Sequence, residues 1–176
     1  MSDNPLLRIA ARLDSLAETT GRLTAWLALL LVLVMFSVVV LRYLFEFGSI
    51  ALQESTLYLH ASLFMLGAAY TLKVDGHVRV DIFYRRLSAH GKALVNLLGT
   101  LLLLLPVCGF MVWISWDYVT TAWALRESSP EAGGLPLVYL LKTLIPLGAL
   151  LLIIQGVSLM LHSLATLIES DTGGQP

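Results

Sequence analysis

An all-α membrane protein with four transmembrane helices is the fold class this sequence predicts, and three observations predict it. The 176 residues are 57% hydrophobic and only 13% charged, against roughly 25% charged in soluble domains, and the mean hydropathy is +0.82. Four segments are apolar over the ~20 residues that a helix needs to cross ~30 Å of hydrocarbon, where lipid offers no partner to an unpaired backbone group. Lys and Arg gather on alternate sides of those segments. The composition excludes disorder, a collagen-like repeat and a disulfide-stapled secreted scaffold. A net charge of −1 without a basic tail speaks against a nucleic-acid partner. The single cysteine, Cys108, excludes a thiol–disulfide relay, which needs a pair.

Residues 1–22 read as a cytoplasmic interfacial amphipathic helix. Asp3 or Asn4 caps it and Pro5 takes its first position. Leu6, Ile9, Leu13, Leu16 and Leu23 follow one face, and Arg8, Arg12, Thr19 and Arg22 another, with Glu18 and Arg22 at a favourable i,i+4 separation. Such a helix fits lying on the inner leaflet with its arginines among lipid phosphates. The transmembrane domain then covers 23–168. Its first span, 23–45, is longer than the roughly 7–15 apolar residues of a signal peptide and ends in Val-Val-Val-Leu-Arg rather than a cleavage site, so it reads as retained. A four-residue connection makes the second span, 50–73, its antiparallel neighbour. This span is apolar apart from Gln53, Glu54 and His60. The Lys73–Lys92 connection holds a second interfacial amphipathic segment, Asp81 to Leu87, with Asp81 as its cap. The third span, 93–123, projects past Trp116 toward Trp123. The fourth, 137–168, carries Pro136, Lys142 and Pro146 near its start, and 169–176 reads as a disordered cytoplasmic tail.

Orientation follows from the cations flanking the spans. Arg8, Arg12 and Arg22, with Lys73, Arg79, Arg85, Arg86 and Lys92, outweigh Arg42, Arg126 and Lys142 on the other side. Both termini and the second connection are therefore expected in the cytoplasm. Trp113, Trp116, Tyr118 and Trp123 then form an outer aromatic belt, with Trp26 near the inner interface.

Charges inside a bilayer mark candidate sites. Glu54 reads either as a partner of Arg42, of the helix N-terminus or of another protein, or as a proton or cation site. A transmembrane haem needs two histidines at matching depth. His60 lies ~15 Å along its helix from the outer end and His162 ~30 Å along its own, which argues against one. His60 then reads as hydrogen-bonded to a neighbouring helix. Gly67-Ala68-Ala69, with Ala61 and Ser62, offers a small-residue surface for close packing, within this bundle or on another membrane subunit. The turn-rich stretch Arg126–Pro136 is a solvated loop or a contact surface for an external partner, and Lys142 can reach Glu127 or Asp117 or snorkel outward. No Walker A, H-E-x-x-H, G-x-S-x-G or C-x-x-C occurs. There is also no inverted repeat with two broken helices. The expectation is a chain that is not an enzyme and has no cofactor, no metal site and no transport site of its own.

The string from Gly67 to Asp81, GAAYTLKVDGHVRVD, resembles the small membrane subunit (DctQ-type, Q subunit) of tripartite ATP-independent periplasmic (TRAP) transporters. In that family a G-A-A…G-H-v-r-v-D stretch closes the second helix. Ser115-Trp116-Asp117, Glu127-Ser128-Ser129, Gly133-Gly134-Leu135-Pro136, Lys142, Ile145-Pro146 and Gln155-Gly156 make a second match. It is similar to the branch labelled for mannitol, chloroaromatic or 2-oxoacid compounds, and Gln53-Glu54 fits as well. The resemblance covers about Trp26 to Ile168. It implies a scaffold in the bacterial inner membrane, bracing a large elevator-type subunit that holds the substrate and sodium sites. A periplasmic binding protein delivers a carboxylate-bearing solute to that complex. The resemblance further implies Glu54, His60, Gly67, Ala68, Arg79 and Asp81 as an interface with the large subunit or with membrane phospholipid. It implies Glu127, Ser128, Gly134 and Lys142 as a binding-protein docking surface. Two readings from other classes stand beside it. One is a membrane-anchor subunit of a redox complex; the other is a self-associating small channel or exporter with Glu54 as its ion site.

Overall fold

The computed structural model describes residues 5–78 and 81–172, the side chains of Asp81, Asp171 and Thr172 excepted. Its elements are all helical: α1 (Pro5–Leu44), α2 (Ile50–Lys73), α3 (Asp81–Tyr84), α4 (Ala89–Gly99), a π turn (Thr100–Leu104), α5 (Leu105–Ala124) and α6 (Val138–Thr172). α4, the π turn and α5 run on as one helix, Ala89–Ala124. Pro5–Leu44, Ala89–Ala124 and Val138–Ser170 are long and apolar enough to cross a membrane by length and composition. α2, with Gln53, Glu54 and His60 among its 24 residues, is more polar. The chain runs back and forth, so one end of the bundle carries Lys73, Arg85, Arg86 and Lys92 (the basic end) and the other carries the 126–136 loop (the loop end).

α6 is the hub, packing against α1, α2, α4, the π turn and α5, while α1 also lies along α2. What is buried at these contacts is small. The core residues include Ala10, Ala17, Ala69, Ala93, Ala122, Ala149 and Ala165, and the largest side chain buried completely is Ser158. Trp26, Phe36, Phe64 and Trp113 are 72%, 66%, 68% and 74% exposed. A soluble core shows the reverse. In lipid no hydrophobic force drives helices together, so they associate through close backbone approach and dispersion, which small residues permit. A Cβ on Gly21 would lie 2.4 Å from the Tyr70 side chain, one on Gly148 3.0 Å from the Met65 carbonyl oxygen, and one on Gly156 2.7 Å from Leu104.

The expected division at residue 22 falls inside one helix, α1. It runs unbroken from Pro5, the position foreseen for its start, to Leu44, about 60 Å at 1.5 Å per residue. No proline or turn intervenes between Arg22 and Leu23 to end it. Its face toward the bundle is Ala10, Ala17, Gly21 and Thr24. Ile9, Leu16 and Leu23, which lie on the expected apolar face, stay exposed. The expected cap at Asp3 or Asn4 lies outside the described residues, as do Arg79 and 173–176. Of the second interfacial segment, the single helical turn α3 is described. α4 starts four residues before the expected 93 because the Ser88 side chain accepts from Gly91 N at 3.2 Å and caps it. α6 ends four residues after 168, inside the expected tail.

The π turn has an identifiable cause. Pro106 has no N–H, and its ring would clash with the carbonyl of Leu102 in a regular α-helix. The chain widens instead, with Leu105 N donating to Thr100 O across five residues. One residue is thereby absorbed. The buried positions Ala93, Thr100, Cys108, Ser115 and Ala122 step by seven along the helix except between Thr100 and Cys108, where they step by eight. The turn keeps all five facing α6.

The close approach at Gly21 yields a test. Gly21→Val is expected to lower unfolding stability by about 1–3 kcal/mol through overpacking against Tyr70, measured by denaturation in mixed micelles. Gly109→Ala, where a Cβ has nothing within 4 Å, is expected to leave it unchanged.

Candidate functional site

The polar side chains gather at the two ends of the bundle. At the loop end, Ser49 caps α2 by accepting from Leu52 N at 3.3 Å, which sets Glu54 in the helix's second turn, facing residues 129–135. Ser129 Oγ donates to Glu54 Oε1, and Leu135 N donates to Oε2 at 2.6 Å. The loop closes on itself around this carboxylate. Ser129 N donates to Leu135 O at 3.0 Å, Gly134 N to Glu131 O at 3.0 Å, and Glu131 N to Ser129 Oγ at 3.1 Å. Both glycines are required. Gly133 has φ +82, where an L side chain is strained, and a Cβ on Gly134 would lie 2.4 Å from Ser129 Oγ and 2.9 Å from Glu54 Oε1.

The ends of this loop are pinned separately. Lys142 Nζ donates to both Glu127 oxygens at 2.6 and 2.8 Å, and stands 3.8 Å from the centroid of the Tyr118 ring. Trp123 Nε1 donates to Thr143 Oγ1 at 2.8 Å, and its ring meets that of Tyr139 edge-on at 4.7 Å. Arg126 lies 5.8 Å from the Tyr139 centroid. α5, α6 and α2 are thus joined through one folded loop.

At the basic end Asp14 takes the equivalent place. Its Oδ1 accepts from Ser158 Oγ at 2.6 Å and from Gln155 Nε2 at 2.9 Å, and its Oδ2 from His162 Nε2 at 2.9 Å. Ser158 Oγ also reaches Ala10 O at 3.2 Å. Gln155 and Ser158 are buried. A turn further along α1, Glu18 pairs with Arg22, as the i,i+4 spacing predicts, and with Lys73 at the end of α2. The first turns of α1 are therefore hydrogen-bonded to α6 and ion-paired to α2.

The structure regroups the sequence-predicted residues. Glu54, expected apart from the loop, comes together with Gly134, while Lys142 takes Glu127 from the alternatives open to it, Asp117 and the outer interface being the others. Ser128 is exposed beside Glu127. Glu54 engages the loop rather than Arg42. His60 is exposed, where a hydrogen-bonded contact with a neighbouring helix was expected. The Gly67–Ala69 surface divides: Ala69 packs inward with Ala17 and Leu151. Gly67 and Ala68 line an outward groove of about 460 Å³ with Gly21, Thr24 and Phe64. Asp81 opens α3, its side chain undescribed. Among the described residues no three His, Cys, Asp or Glu side chains are grouped to hold a metal ion.

Asp14 is the residue sequence reasoning missed. The signal was present: Asp14 falls on the small-residue stripe Ala10, Ala17, Gly21, Thr24, while Gln155, Ser158 and His162 recur at i, i+3, i+7 on α6. A carboxylate on a packing stripe opposite three donors is a bond between helices.

A family model described as Tripartite ATP-independent periplasmic transporters, DctQ component, matches residues 31–166. No curated protein and no solved structure matches the chain.

Two tests follow from the geometry. Glu54→Ala removes the acceptor of the Leu135 amide and is expected to speed its hydrogen exchange about 10- to 100-fold, as loss of a charged hydrogen bond dictates. Exchange at amides of the Asp14 network is unchanged. Asp14→Ala leaves buried Gln155 and Ser158 without their acceptor and is expected to cost about 1–3 kcal/mol of unfolding stability. His162→Ala, at the 45% exposed edge of that network, is expected to cost less, both measured by the same denaturation.

Proposed function

This chain belongs to the family of DctQ components of tripartite ATP-independent periplasmic transporters, and on that premise we propose that it is a non-catalytic scaffold bracing a large elevator-type subunit. That partner carries out sodium-coupled uptake of a carboxylate-bearing solute delivered by a periplasmic binding protein. In this reading α2 also crosses the membrane, making four spans. The chain lies in the bacterial inner membrane with both termini and the Lys73–Lys92 segment in the cytoplasm, following the bias of Lys and Arg.

One observation carries the scaffold role: the carboxylates Glu54, Glu127 and Asp14 are turned on groups of this chain rather than on a pathway. Glu54 is held by its loop, Glu127 holds Lys142, and Asp14 ties α1 to α6. What faces outward is apolar, as Trp26, Phe36, Phe64 and Trp113 show. A transport site needs polar groups free to exchange water for solute, whereas a brace needs a rigid body with an adhesive apolar surface. The groove at Gly67 and Ala68 is the proposed seat for the large subunit, with exposed His60 on the same helix and with Arg79 and Asp81 following that helix in the sequence. The loop with exposed Ser128, stiffened by Glu54, Gly134 and the Glu127–Lys142 pair, is the proposed docking surface for the binding protein.

Affinity purification of a tagged chain from mild detergent, with mass spectrometry of its companions, tests this. A stoichiometric large polytopic protein is expected, and Ala68→Trp, which fills the groove, is expected to reduce its recovery at least ~10-fold, one buried anchor contact being worth about 1.4 kcal/mol or more. Recovery of the chain alone as a stable homo-oligomer sinks the scaffold and leaves the small-channel reading to be tested.

A further inference from the structure

A second groove, of about 460 Å³, opens at the basic end between α2, α3, α4 and α6. Leu72, Leu87, Val95, Leu104 and Leu159 give it apolar walls, and Tyr84 and Asn96, joined by a hydrogen bond of 3.1 Å, lie along it. Its floor is open because Gly99 has no side chain: a Cβ there would have nothing within 4 Å. From Val95 to Leu104 the groove follows the helix for nine residues, roughly 14 Å at 1.5 Å per residue, and Lys92 stands about one turn before it. That accommodates the greater part of a fatty acyl chain lying along the helix.

The rim differs in charge from the walls. The Lys92 ammonium stands 5.7 Å from the centroid of the Tyr84 ring, directly at the groove's lining. Arg85 and Arg86 follow Tyr84 in the chain, and no acidic residue occurs from Ile82 to Trp116. An apolar channel running along the helix from a cationic mouth complements one kind of molecule: a long acyl chain with an anionic head. Lys and Arg at a membrane surface favour anionic over zwitterionic headgroups.

We propose that this groove binds one anionic phospholipid, its phosphate at the Lys92–Tyr84 mouth and one acyl chain running past Gly99 to Leu104. The lining belongs wholly to this chain, so the proposal does not rest on the scaffold role.

The test is native mass spectrometry of the purified full chain, titrated with palmitoyl-oleoyl phosphatidylglycerol, with phosphatidylcholine of the same chains, and with inorganic phosphate. One saturable phosphatidylglycerol adduct is expected, about fivefold tighter than phosphatidylcholine, the preference that one surface cation gives. Lys92→Gln is expected to abolish the preference while phosphatidylcholine binding stays. Gly99→Leu, which projects into open space, is expected to weaken both lipids at least ~5-fold, the loss of apolar contact over a chain of this length being larger than that. Equal binding of the two lipids to the wild type overturns the proposal, as does wild-type binding by Gly99→Leu. Displacement of phosphatidylglycerol by millimolar inorganic phosphate overturns it too, since the site is then one for a free anion. Exclusion of phosphatidylglycerol when the chain is purified with a membrane partner likewise overturns it, the groove then being a protein seat. Should Gly99→Leu fail to fold, the Lys92→Gln arm decides by itself.

Discussion

Gly148 brings the backbone of α6 against the Met65 carbonyl of α2, Gly156 brings it against the π turn, and Gly21 brings α1 against Tyr70. These three contacts are the constraint under which the rest of the molecule is arranged. In water a bundle can be held by large side chains escaping solvent, and imprecise packing still yields most of the stabilisation. In lipid the outside is as apolar as the inside, so helices gain only from atoms that touch. The bundle accordingly puts alanine, glycine and serine inward and leaves tryptophan, phenylalanine and leucine facing out. The central position of α6 has the same origin, because Gly148, Ala149, Gly156 and Ser158 give it narrow faces on several sides.

Close packing positions the helices along their length, and hydrogen bonds fix them at each end. At the loop end one carboxylate, Glu54, organises a loop some eighty residues further along the chain. At the basic end another, Asp14, gathers three donors from α6. Each is surrounded by groups that satisfy its oxygens, which is the condition for a carboxylate to stand near hydrocarbon without penalty. Between the two belts the surface is apolar and grooved. Rigid ends and an adhesive middle suit a component whose work is to be held by others.

Local signals were legible in the sequence and distant ones were not. α2 begins at Ile50 and ends at Lys73, as its apolar run predicts, because Ser49 caps one end and the polar Lys73-Val74-Asp75 stretch closes the other. The Lys142–Glu127 pair could be read because both residues flank one short connection. Glu54 and Leu135 could not be paired, since nothing local to either marks a contact across that separation. The bundle-facing side of α1 went unread for a different reason. The leucine spacing marks a face for the leaflet, whereas contacts between helices in a bilayer are marked by small residues. Read by that second rule, Ala10, Asp14, Ala17, Gly21 and Thr24 form one line, and the carboxylate within it stands out. Ser88 likewise announces the start of α4, but the apolar run begins only after Lys92, which put that first turn in the connection.

The π turn has a consequence for how such chains change over time. In a soluble helix an extra residue can be pushed out into water as a bulge or loop. Inside a bilayer that route is closed, because an expelled peptide unit would meet only hydrocarbon. Widening one turn keeps each carbonyl in reach of a donor while the surplus residue is taken up within the helix. The stretch from Thr100 to Cys108 is thus a place where insertion or deletion of a single residue can be accommodated without rotating the rest of the helix off its neighbour. A relative that crosses this stretch as regular α-helix must be one residue shorter there to present the same stripe, and its alignment with this chain will carry a one-residue gap beside the proline.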